Sequence, residues 1–219
     1  MNTRPSPQER RRISEIFDRF AGAVAEPRTE LHYTSPFTLL VAVALSAQAT
    51  DVSVNKATAP LFAAAATPAE IVALGEEGLT PFIASIGLFR TKARNVVALS
   101  RILVESYDGE VPLIREALMT LPGVGRKTAS VVLNELGVEA AIAVDTHVFR
   151  VAHRLKLSDG KTPEQVEADL MRVVPEPRRS RAHHWLILHG RYVCVARKPK
   201  CAGCLVADLC PSRELFLGA

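Results

Sequence analysis

The 219-residue sequence has no cysteine before Cys194, no apolar run of membrane length and no alternating strand-like run of useful length. Each absence excludes a class of protein. The main apolar stretch, Phe37 to Ala44 with Thr38 inside it and Leu45 following, falls well short of the roughly 20 residues a bilayer-spanning helix needs, so no membrane span is expected. Met1 to Pro7 pass into Gln8, Glu9 and Arg10 without the apolar core of a secretory leader, which points to the cytoplasm. Without period-two alternation there is no half-buried strand, and without a fixed repeat there is no solenoid. At 48% hydrophobic and 23% charged residues, the chain lacks the polarity that would leave it disordered, and its length allows one or two domains with a sizeable core.

What remains reads as about ten helices and no sheet. A first helix from about Ser6 to Ala25 carries Ile13, Ile16, Phe17 and Phe20 on one face. Ser35 and Pro36 open an almost wholly apolar helix to Gln48, which belongs in a core. Asp51 is expected to cap a helix toward Phe62 that Pro60 kinks or shortens. Thr67 to Glu70 form a capping box for a short helix ended by Gly75, and Thr80-Pro81 open a segment that stops at Ile86-Gly87-Leu88. A long helix covers Thr91 to Tyr107, and Pro112 opens a short one from Leu113 to Thr120. Beyond these, helices are expected over Thr146 to Leu157, after the Thr162-Pro163-Glu164-Gln165 box, and over Ser180 to Val195.

The charge balance of +4 is modest, but basic residues cluster at Arg10-Arg11-Arg12, Arg178-Arg179-Ser180-Arg181 and Arg197-Lys198-Pro199-Lys200, which suits a polyanionic partner. A single such run is also what an ordinary solvated face looks like. More specific is Leu121-Pro122-Gly123-Val124-Gly125, a glycine-punctuated turn between two short helices, the second stopped by Gly137. Backbone N–H groups of Val124, Gly125 and Arg126 at the second helix's N-terminus can hold a phosphate without reading a base. Alone, the same turn is equally an ordinary helix–helix connection.

All four cysteines lie in the last 26 residues, spaced as Cys194, Cys201, Cys204 and Cys210. In a chain expected in the cytoplasm, a pattern holding Cys-x-x-Cys reads as a metal site in preference to two disulfides. Four thiolates suit tetrahedral zinc or an iron-sulfur cluster, and ligand count does not separate the two. Arg197, Lys198 and Lys200 lie in the loop such a centre would pin, where their side chains can face a partner.

Taken together in their order, LLVAVALSAQATD, SIGL, LPGVGRKTA, VDTHVFRV, HHWLILHGRY and the four-cysteine pattern resemble the endonuclease III family of the helix-hairpin-helix DNA glycosylase superfamily. The likeness covers nearly the whole chain. It implies an all-α, two-lobed fold: a six-helix lobe over 29–139 with the hairpin motif at about 113–137, and a cluster lobe from 1–28 plus 140–219. It further implies a [4Fe-4S] cluster on the four cysteines and damaged double-stranded DNA bound in a cleft between the lobes. The reaction implied is removal of oxidised pyrimidines, such as thymine glycol, followed by β-elimination 3′ to the abasic site. Gln48 and Leu88 correspond to the residues that enter the duplex, each at a helix end where a side chain can protrude, though both also read as ordinary exposed residues. A monomer associated with the nucleoid is expected.

The residues supply a chemistry that agrees. Lys127 stands in the first turn of the helix after the hairpin, where the dipole's positive end disfavours an ammonium and favours a nucleophilic amine. Asp145 precedes Thr146-His147-Val148 as an N-cap, and a carboxylate can stabilise the positive charge that builds on a sugar as its base departs. A surface lysine and a plain capping aspartate are the competing readings. His147, His183 and His184 are assigned structural or phosphate-contacting roles. Pro60, Met119-Thr120 and Arg90 depart from the family pattern, and Arg90 adds charge beside Leu88. Two other functions share parts of this pattern: a monofunctional mismatch adenine glycosylase and a non-enzymatic helix-hairpin-helix DNA-binding module. The first carries no lysine at the place of Lys127 and has a further domain after its cluster, whereas nine residues follow Cys210 here; the second leaves Lys127 and Asp145 without purpose.

Overall fold

The computed structural model describes residues 5–216; the N-terminal Met1 to Arg4 of the leader reading, and the last residues of the expected cluster lobe, lie outside the described residues. Ten α-helices run in the order α1 Pro7–Ala23, α2 Pro36–Leu45, α3 Asp51–Ala64, α4 Pro68–Ile83, α5 Phe89–Ser106, α6 Arg115–Met119, α7 Arg126–Glu135, α8 Thr146–Arg154, α9 Pro163–Val173 and α10 Arg179–Tyr192. Among the described residues there is no strand, and no single helix is long and apolar enough to cross a membrane. The fold is all-α.

Serine or threonine followed by proline starts α1, α2, α4 and α9. The side-chain oxygen accepts an otherwise unpaired first-turn N–H, and the proline sits where no N–H is needed. At α4 the Glu70 carboxylate returns the bond, accepting from Ala66 N at 2.9 Å and Thr67 N at 3.0 Å. At α9 the box stays open on one side, because Gln165 Oε1 accepts from Lys161 N instead.

Several helix limits differ from the expectation. Pro60 does not end α3, which continues past it to Ala64. Proline gives up only its own N–H inside the helix, and Pro60 and Lys56, one turn before it, are both exposed. Thr50, not Asp51, caps α3. Gly75 does break helical geometry, with φ 67° and ψ 179°, but helix resumes directly after it, so Thr80-Pro81 opens nothing and Pro81 lies within a continuing turn. Pro112 stands clear of α6, which begins at Arg115 where the guanidinium reaches Ser130 Oγ and, at 2.7 Å, Glu139.

The chain divides into two compact units, Thr29–Glu139 and the pair of segments Met1–Arg28 with Ala140–Ala219. The first unit holds α2 to α7 around α2, of which Leu39, Leu40, Val41, Ala42 and Leu45 have no exposure. Burial on all sides explains why α2 carries no polar face. The core of the second unit joins Ile13, Ile16, Phe17 and Phe20 of α1 to Val148, Val151, Trp185 and Leu186 of α8 and α10. Trp185 Nε1 donates to Val24 O at 2.8 Å, fixing the end of the first segment against α10.

Two of the three basic clusters are partly bonded inside this second unit. Arg12 donates to Leu155 O at 2.9 Å and Leu209 O at 3.1 Å. Arg178 pairs with Asp18 at 2.8 Å, and Arg181 pairs with Glu26. Arg12, Arg178 and Arg181 thus tie the N-terminal segment to the rest of the unit, while Arg10 and Arg11 of the first cluster stay exposed.

Candidate functional site

In the first unit, the turn from Thr120 to Gly125 joins α6 to α7. Gly123 has φ +79°, and a Cβ there would stand 3.0 Å from Asn95 Nδ2 and 3.1 Å from Asn95 Cβ, so both backbone and neighbour demand glycine. Gly125 is the N-cap of α7, exposed and without a capping side chain, and nothing lies within 4 Å of where its Cβ would be. A negatively charged group can therefore approach this helix end closely. One expected donor is not available: Val124 is buried and its N–H donates to Leu121 O at 3.1 Å, closing the turn from inside. Arg126 and Lys127 follow in the first turn of α7, both exposed, and Lys127 Nζ has no hydrogen bond or ion pair among the described residues.

The same unit brings Gln48 and Leu88 together. Both are exposed, and both adopt the left-handed backbone conformation, with φ 56° and 60°. Side chains other than glycine pay about 1–2 kcal/mol for that conformation, so two adjacent instances need support from the surrounding structure. A Cβ on Gly87 would lie 3.9 Å from Gln48 O, which sets the two turns side by side. Leu88 is 63% exposed as the N-cap of α5. Arg90 stacks over the Phe89 ring with 5.6 Å from Cζ to centroid.

Sequence reasoning missed Lys92. It is 8% exposed, its Nζ donates to Leu45 O at 2.9 Å and Ala47 O at 2.6 Å, and burial lowers its pKa from the ordinary lysine value. A lysine among helical positions signals a solvated face, and nothing in the sequence marks this one as inward.

In the second unit, Asp145 caps α8. Its Oδ1 accepts from His147 N and Val148 N, both at 2.8 Å, while Oδ2 accepts no hydrogen bond among the described residues. One carboxylate oxygen thus fixes the residue and the other is left for a partner from outside the cap. His147 Nδ1 lies 3.2 Å from Arg150 Nη2, and His183 and His184 are buried in α10.

Cys194, Cys201, Cys204 and Cys210 line one small pocket, open in part to solvent, together with Leu155, His189 and Arg213. None forms a disulfide. Among the described residues no three His, Cys, Asp or Glu side chains stand as ligands of one metal ion; the four thiols instead surround a shared space. Burial pushes the Cys204 and Cys210 thiols up, the N–H groups of Val206 and Ser212 pull the other way, and the neighbouring cysteines add to the rise. Four soft donors this close need a cationic centre to be held as thiolates, and a four-iron cluster takes one thiolate per iron. The donor set fits an iron-sulfur cluster.

Two arginines shape the loop between the first two cysteines. Arg150 Nε donates to Cys194 O at 3.0 Å, and Arg154 donates to Val195 O at 2.7 Å, Ala196 O at 2.9 Å and Cys194 Sγ at 3.4 Å. With its backbone pinned on these donors, the loop leaves Arg197, Lys198 and Lys200 exposed.

Residues 41–176 match the HhH-GPD superfamily of base excision DNA repair proteins, and residues 194–210 match the iron-sulfur binding domain of endonuclease III. Endonuclease III of Escherichia coli K12 is 55% identical over 200 residues, covering 91% of this chain and 95% of that protein. The chain belongs to the endonuclease III family. Endonuclease III of Rickettsia conorii is likewise 55% identical over 202 residues, covering 92% and 93%. Among solved structures, a non-covalent endonuclease III–DNA complex superimposes with a TM-score of 0.89 at 42% identity over 98% of this chain and all of that one. A trapped endonuclease III–DNA covalent intermediate gives 0.88 at 42% identity, over 97% and 99%. As a member of this family the chain is a DNA glycosylase and abasic-site lyase of base excision repair, and its cofactor is a [4Fe-4S] cluster.

Proposed function

We propose that this endonuclease III family member excises oxidised pyrimidines from duplex DNA through Lys127 and Asp145, then cuts the strand 3′ to the abasic site. The observation that carries the assignment is Lys127 itself: an exposed amine with no partner among the described residues, at a helix N-terminus with no capping side chain, beside a turn open to phosphate. Lys127 Nζ attacks C1′ of the flipped nucleotide, and the glycosidic bond breaks with its electron pair leaving on the base. Asp145, held by Oδ1 and open at Oδ2, stabilises the positive charge that builds on the sugar and helps take the proton from the attacking amine.

Loss of that proton leaves an aminal, and opening of the sugar ring, in which the C1′–O4′ bond breaks as O4′ takes up a proton, turns it into a Schiff base. Removal of a C2′ proton then expels the 3′ phosphate by β-elimination, and water releases Lys127 from the product. The amides of Gly125 and Arg126 at the α7 N-terminus, with Gly123 shaping the turn, hold a backbone phosphate near the lesion. Gln48 and Leu88 fill the gap in the duplex, and Arg197, Lys198 and Lys200 grip phosphates further along. Cys194, Cys201, Cys204 and Cys210 hold the cluster, which fixes the backbone of that basic loop. The enzyme works as a monomer associated with the nucleoid.

A panel of duplexes bearing thymine glycol, dihydrothymine or an adenine mismatch, assayed with and without alkaline workup, tests this reading. Release of the oxidised pyrimidines with strand cleavage before workup is expected. Release of mismatched adenine with no cleavage before workup would replace it with the monofunctional reading.

A further inference from the structure

The buried lysine has a place in the reaction. α2 ends at Leu45, and like every helix it ends in carbonyls with no partner of their own and the negative end of its dipole. Lys92 Nζ occupies that end, at 2.9 Å from Leu45 O and 2.6 Å from Ala47 O, immediately before Gln48. The backbone N–H of the same residue donates to Leu88 O at 3.0 Å, closing the first turn of α5. One residue is therefore bonded through its side chain to the turn that carries Gln48 and through its backbone to the turn that carries Leu88.

Both turns hold a non-glycine residue at positive φ, a conformation each would leave if unsupported. Local bonds do not join them: Ser46 Oγ returns to Val43 O at 2.8 Å and Ala49 N to Ser46 O at 3.0 Å, all within the first turn. Even a Cβ added at Gly87 would meet Gln48 O only at ordinary van der Waals distance. Among the described residues the Lys92 side chain supplies a polar link across the pair. A cation is costly to bury, and at a position flanked by the core residues Ala93 and Val96 an apolar side chain would pack without that cost.

We infer that Lys92 is a positioning residue that locks the Gln48 and Leu88 turns into one rigid unit, so that the two side chains enter the duplex together. Lys92 touches no DNA in this role. The inference rests on the reading of Gln48 and Leu88 as the residues that fill the gap.

The test is a double-mutant cycle on Gln48→Ala and Leu88→Ala, run with Lys92 intact and again with Lys92→Met. The readouts are single-turnover excision from a thymine-glycol duplex and 2-aminopurine fluorescence beside the lesion as a report of base opening. With Lys92 intact, the double variant should lose about tenfold less than the product of the two single losses, because disabling either half disables the unit. In the Lys92→Met background the losses should multiply independently, and Lys92→Arg, which keeps a cation able to reach both carbonyls, should restore the coupling. Coupling that survives Lys92→Met overturns the inference while leaving the roles of Gln48 and Leu88 intact. Single variants with normal base opening overturn the reading of those two residues first. Where Lys92→Met fails to fold, Lys92→Gln is read in its place; if that chain is unfolded too, Lys92 is a determinant of the fold and the positioning role is wrong.

Discussion

Asp145 both caps α8 and is the proposed carboxylate of the reaction, and asparagine separates the two roles. Asparagine caps a helix about as well as aspartate, because its amide oxygen can accept the same His147 and Val148 N–H bonds now made to Oδ1 at 2.8 Å. Asp145→Asn then loses only the interaction of the charge with the helix dipole, about 0.5 kcal/mol. Asp145→Ala loses that and the cap, together about 1.5 kcal/mol. For a chain of this size those costs correspond to Tm falls of about 1–2 °C and about 3–6 °C. Catalysis should divide differently. Both variants lack the carboxylate, so both should lose about 10²- to 10⁴-fold in single-turnover excision from a thymine-glycol duplex. Circular dichroism melts and quenched excision assays on the same preparations measure the two effects side by side. An Asn variant that keeps the excision rate, next to an Ala variant that loses stability, would reduce Asp145 to a cap and refute the assignment.

Gly123→Ala should lower Tm by about 2–8 °C, since it adds roughly 1–2 kcal/mol of left-handed strain before any displacement of Asn95. Gly125→Ala, with no steric neighbour, should melt within about 2 °C of the parent yet bind abasic-site duplex more weakly; equal melting of the two glycine variants would contradict the geometry of the turn. Replacing Lys200 by alanine should weaken duplex binding irrespective of sequence and reduce the slope of log K against log salt by about 1, and an unchanged slope would remove that residue from the phosphate contacts. The Glu70 carboxyl is held below its ordinary value of 4.5 by the Ala66 N–H first, then by the Thr67 hydroxyl and N–H. A carboxyl depressed in the folded state contributes stability above its unfolded value that is lost as pH falls through the folded one, so an NMR titration should find the Glu70 midpoint below 4.5, rising in Thr67→Val.

Local chemistry was the legible part of this chain. Ser35-Pro36 and Thr67-Pro68 announce helix starts because the capping oxygen and the missing N–H act within one turn, and the structure uses both. The hairpin's glycines, the cysteine spacing and the position of Asp145 before α8 were readable for the same reason. Features set by tertiary neighbours were not. Pro60 stays inside α3 at an exposed position, and no sequence window says which face that is. Val124 offers a donor in sequence and spends it on Leu121 in the folded turn. Arg12 and Arg178 look like partner-binding charge until Leu155, Leu209 and Asp18 arrive beside them. Lys92 is the extreme case: its two acceptors lie 45 and 47 residues away in the chain.

The central claim is that the Lys127 amine forms the covalent bond to the sugar. Borohydride reduction during incubation with a duplex carrying one abasic site, followed by peptide mass mapping of the trapped adduct, tests it directly. The account predicts one adduct, located at Lys127 and absent from Lys127→Ala. An adduct mapped to another lysine, or one that persists in Lys127→Ala, would contradict it.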